Sequence, residues 1–140
     1  MTIIYLKFFH FLAILFAGGV IVGSGLIQKV YAKANQIPDL HIAKILKLLG
    51  YIGLISLLVL WTTGIFLSNI IYNGFSINSA FTLKIIAAGL LLGLSIFINL
   101  YVYTSSKKQL PTNKKIMKAA TMISRVLIII ILIGAVLAFN

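Results

Sequence analysis

The 140-residue chain is 61% hydrophobic and only 9% charged, whereas a soluble domain carries about a quarter charged residues, so an ordinary soluble globular domain is excluded. Lys and Arg together number 12 against a single acid, Asp39, for a net charge of +11. With no soluble basic domain to carry it, that excess reads as membrane topology and excludes nucleic acid as a partner.

Four apolar runs, 3–27, 46–72, 80–104 and 119–139, each meet the ~20 residues a helix needs to cross a bilayer. They predict one all-α membrane domain over residues 1–140, a four-helix bundle with helices at 3–27, 38–72, 80–104 and 113–139. In the first run, Ala32-Lys33-Ala34 resembles a signal-peptide cleavage site. The apolar stretch is too long for a signal peptide and its positive charge follows it, so the helix is expected to be retained. Pro38-Asp39 suits the first turn of the second helix, and Asn73-Gly74 its end. Ser79 can cap the third helix, and Thr112 or Asn113 the fourth, on which Lys114, Lys118 and Arg125 share a face and can snorkel.

The first connection, QKVYAKANQIPDLHIAK, and the third, SSKKQLPTNKKIMK, are basic, and the second, NGFSINS, is uncharged. The positive-inside rule then places both basic loops in the cytoplasm and both termini on the outer side, giving a multi-pass protein of the cell (inner) membrane. The KKQLPTNKK run reads as an orientation anchor with affinity for anionic lipid. No internal repeat is legible.

Gly19-x-x-x-Gly23 and Gly89-x-x-x-Gly93 are expected to be packing faces between helices. Lys7, His10, Ile14, Ala17, Ile21, Ser24 and Gln28 form one stripe of helix one, and Lys84, Ala88, Leu91, Ser95 and Asn99 one stripe of helix three. Polar stripes in a membrane face the bundle interior or a cavity more often than lipid. His10 and Lys84 fall at similar depth in the outer leaflet, level with Trp61, Thr62 and Thr63. One shared site is the sharp reading; snorkelling for Lys7 and Lys84, a plain interhelical hydrogen bond for His10 and packing for Trp61 are the bland ones.

Without cysteine, thiolate metal sites, disulfides and iron–sulfur clusters are excluded, and a lone carboxylate excludes paired-carboxylate chemistry. Copper ligands are poor for the same reason, there being no methionine cluster in the apolar runs. A single imidazole on an apolar helix can instead ligate haem iron, and cationic groups near the interface suit propionates.

The histidine within FFHFLAILFAGG and the lysine opening helix three in FTLKIIAAGLLLGL, in a chain of this length with four membrane helices, resemble the HemJ-type protoporphyrinogen oxidases and the related CopD-like membrane proteins. The resemblance implies haem b with His10 as axial iron ligand, and Lys84 as a residue needed for function, contacting a porphyrin carboxylate or assisting proton removal. Lys7 and Trp61 would complete the cofactor site. The segment VIVGSGLIQKVYAKA has neither the proline nor the arginine that the family carries after helix one, and Ile14 stands where the family can have methionine. The sequence thus supports two functions: a haem- or porphyrin-linked redox protein, as in protoporphyrinogen oxidation or membrane electron transfer, and a non-catalytic accessory subunit packing with other membrane subunits or as a homo-oligomer.

Overall fold

The structure, a computed structural model, describes residues 1–73, 79–111 and 113–138. They form four helices, α1 (Thr2–Lys33), α2 (Leu40–Tyr72), α3 (Ser79–Lys107) and α4 (Lys114–Ala138). All four are long and apolar enough to cross a membrane. Their outward surface is a coat of Ile, Leu, Val and Phe suited to contact with lipid, including Phe11, Leu15, Ile55, Leu90, Ile129 and Val136. The chain is a multi-pass membrane protein with the expected all-α four-helix architecture.

The helices outrun their apolar stretches. α1, with 32 residues, is roughly 48 Å long at 1.5 Å per residue, well beyond the ~30 Å hydrocarbon core. Both α1 and α3 continue to a lysine in their last turn, Lys33 and Lys107, where a cation offsets the negative end of the helix dipole. α2 begins after Pro38 and not at it, because Asp39 is the N-cap and its carboxylate accepts the Ile42 N–H at 3.1 Å. Asn113 opens α4 similarly, its side chain accepting the Lys115 N–H at 3.0 Å. Asn73, at φ 53°, ends α2 in the left-handed conformation. Ser79 is the first described residue of α3. Gly74, the rest of the second connection to 78, Thr112 and Phe139 lie outside the described residues.

Neighbouring helices run antiparallel. His10 meets Thr63 and Gly64, and Val20 meets Gly53; Trp61 meets Gly89, and Gly50 meets Asn99. Both basic loops therefore lie at one end. α1 packs closely with α2, and α3 with α4, while the seams between these hairpins, α2 with α3 and α1 with α4, are looser. The buried centre is Ala17, Leu57, Ala87, Ala88, Leu91 and Ile131, small and branched residues drawn from all four helices.

The two basic turns share one backbone pattern, at the offset that separates Asn35 from Gln109. These are the left-handed residues of the two basic turns, φ 50° and 54°. At the same offset, the Gln36 N–H bonds the Tyr31 carbonyl as Leu110 does Ser105, and Ala43 bonds Asp39 as Met117 does Asn113. Each turn is thus one helix-ending hydrogen-bond pattern used twice. Few side chains match at that offset, Gly19 with Gly93 and buried Ala13 with Ala87 among them. His10 and Lys84 stand at the same distance from the ends of their helices at Lys33 and Lys107.

The expected glycine faces do not hold as drawn. A β-carbon on Gly19, Gly23 or Gly93 would meet nothing within 4 Å. Gly89 alone of those four is a contact, its β-carbon position lying 3.3 Å from the Trp61 ring. Close approach is made instead at Gly53 against Val20 and at Gly25, where the Arg125 guanidinium occupies the place a β-carbon would take.

Candidate functional site

At the end away from the basic loops, α1, α2 and α3 enclose a cavity of about 60 Å³ lined by His10, Leu60, Trp61, Gly64, Phe81 and Lys84, among others. The packing that builds it is specific. Gly64 leaves the His10 ring room, Gly89 leaves the Trp61 ring room, and Gly134 lets α4 lie against the backbone and β-carbon of Lys84. His10 Nδ1 is 2.9 Å from the Thr63 hydroxyl. That hydroxyl has one proton, which it gives to its own helix at the Val59 carbonyl, 2.7 Å away, as threonines in membrane helices do. With that proton so placed the oxygen can accept from His10 Nδ1–H, and in that tautomer the lone pair lies on Nε2. A held Nδ1–H that frees Nε2 is the arrangement of ligating histidines.

The indole Nε1–H of Trp61 is fully buried, with no hydrogen-bond partner among the described residues, and a buried donor left unmatched costs about 1–3 kcal/mol. The cavity itself offers an imidazole and a lysine at its wall.

Three of the four sequence-predicted site residues, His10, Trp61 and Lys84, are brought together. Lys7 is exposed and lines neither this cavity nor the larger one described below. Thr62 faces outward and bonds its own helix at the Leu58 and Val59 carbonyls. Thr63 is the residue whose role sequence reasoning missed. The signal existed: in an antiparallel hairpin, residues equidistant from the turn face one another, and His10 is as far before Lys33 as Thr63 is after Leu40.

A second cavity, about 170 Å³, lies nearer the basic loops and is lined by all four helices, with Ser24, Gln28, Tyr51, Ser95, Asn99 and Ser124 among its polar residues. The polar stripes read on helices one and three do face inward here. Leu57 and Leu91 close it toward the first cavity.

The donor set at His10 suits a haem: one imidazole with a free Nε2 and a lysine for an anionic edge. The space does not suit it in this conformation. About 60 Å³ holds one or two waters at ~30 Å³ each, and pockets for larger ligands run to several hundred Å³. A macrocycle would be seated only if the two hairpins part, and their seams are the loosely packed interfaces.

The fold and site define a class: a small all-α, four-helix membrane protein with an interhelical histidine–lysine cavity. Comparison with protein-family models, with curated proteins and with solved structures finds no match to this chain.

Proposed function

We propose that the chain is a haem- or porphyrin-linked protein of the cell (inner) membrane, with His10 as the iron ligand and Lys84 beside it in the outer leaflet. The observation that carries this reading is the His10–Thr63 hydrogen bond, which engages Nδ1 and leaves Nε2 for a ligand when Nδ1 carries the proton. The resemblance of the FFHFLAILFAGG and FTLKIIAAGLLLGL segments to HemJ-type and CopD-like proteins points the same way. When bound, haem would supply one-electron redox chemistry. The protein's part is to orient His10, keep water scarce among Leu60, Phe81 and Ala88, and hold a lysine where a carboxylate can reach it.

The test is the reduced-minus-oxidised absorption spectrum of detergent-purified protein from haem-replete cells. A Soret band that His10→Ala abolishes is expected. A colourless wild-type preparation overturns the reading.

The small cavity volume favours a second reading, in which His10–Thr63 is an interhelical tie and the chain is a non-catalytic accessory subunit of a larger membrane assembly. That reading requires co-purification with other subunits, and an isolated, monodisperse chain with a Soret band rejects it.

A further inference from the structure

Arg125 is the one arginine among 12 basic residues. Its side chain reaches α1, where its guanidinium lies over Gly25 in the place of a β-carbon. Gly25 is buried and Arg125 half-buried. The one acidic side chain of the sequence, Asp39, is engaged at the start of α2, so no carboxylate side chain exists to pair with this guanidinium. A partly buried cation without a counter-ion is unfavourable, and in a bilayer the abundant counter-ion is the lipid phosphate.

The surroundings complete the seat. Lys29 follows Gly25 by one helical turn and Lys118 precedes Arg125 by two; since α1 and α4 run antiparallel, both exposed lysines stand on the basic-loop side of the contact. Arg125 is roughly 10 Å further into the bilayer than Lys118, at 1.5 Å per residue. α1 and α4 also share the least extensive helix interface of the bundle, which leaves the seam open to lipid from the side. We infer that this seam is a binding site for an anionic phospholipid, whose phosphate is held by Arg125 against Gly25 and flanked by Lys29 and Lys118. The planar guanidinium suits a phosphate better than a lysine would, because it can donate two parallel hydrogen bonds.

The experiment is native mass spectrometry of the full chain in mild detergent, titrated separately with phosphatidylglycerol, phosphatidylcholine and inorganic phosphate. Wild type is expected to retain phosphatidylglycerol several-fold more tightly than phosphatidylcholine, and Arg125→Gln to reduce that retention about fivefold or more, as for loss of one charge at a membrane surface. Since Arg125→Gln could also disturb α1–α4 packing, Lys29→Gln with Lys118→Gln, both at exposed positions, provides the second arm and should lower retention without unfolding. Equal retention of the two lipids by wild type, undiminished retention in both variants, or inorganic phosphate binding as tightly as phosphatidylglycerol would each overturn the assignment.

Discussion

Gly25 and Gly19 are two turns apart on one helix and differ in what a β-carbon would meet. At Gly25 it would collide with the Arg125 guanidinium, and at Gly19 it would enter open space. Gly25→Ala is therefore expected to push aside the guanidinium, the far end of a flexible side chain, and to change stability by less than about 1 kcal/mol, that shift being offset by alanine's helix preference. Gly19→Ala should be neutral or slightly stabilising, since alanine favours a helix by roughly 0.5–1 kcal/mol over glycine. Detergent-denaturation midpoints of the two variants check this; a Gly19 variant clearly weaker than wild type would show that the small-residue face does pack. The glycine spacing in the sequence could not separate these cases, because what fills the space beside a glycine is a side chain from a distant segment. His10, by contrast, was legible: an ionisable residue on the apolar stripe of a membrane helix has few places to go but inward.

At the scale of elements, His10 and Lys84 stand at the same distance from their basic turns, and their surroundings explain why they do not play equivalent parts. The position matching Thr63 is Leu137, and that matching Trp61 is Ala135. The second hairpin thus has no hydroxyl to hold the Nδ1–H of an imidazole at 84, where α4 presents Gly134. On the haem reading, the double variant His10→Ala, Lys84→His should remain without a Soret band, as His10→Ala alone does. Recovery of the band would mean that any imidazole on the cavity wall suffices and that Thr63 has no orienting role. Helix existence and order were legible in the apolar runs, and their ends less so, because α1 and α3 extend through polar residues that hydropathy counts as loop. Hairpin pairing was available in principle from the short basic connections. The offset between the hairpins was not, since it is recorded in backbone hydrogen bonds and left-handed turn residues rather than in matching side chains.

For the molecule as a whole, the antiparallel contacts put both basic turns at one end and the His10 cavity toward the other, and loop charge then proposes which end is which. Lys29, Lys33, Lys107, Lys108, Lys114, Lys115 and Lys118 all gather at the first end, and such an excess resists translocation. A chain without cysteine allows a direct test, since any thiol introduced is the only one present. Cysteines at the exposed positions Ala34 and Ser106 should be protected from a membrane-impermeant maleimide in intact cells and react after lysis, whereas one at Thr2 should react in both. The reverse pattern would invert the orientation and move the His10 cavity to the cytoplasmic leaflet. It would also place the Arg125 seam in the opposite leaflet, away from the cytoplasmic surface where anionic lipid attracts basic segments. The labelling result therefore bears on both sites at once: the expected pattern keeps His10 and Lys84 in the outer leaflet and sets the Arg125 seam on the side where such lipid would be met.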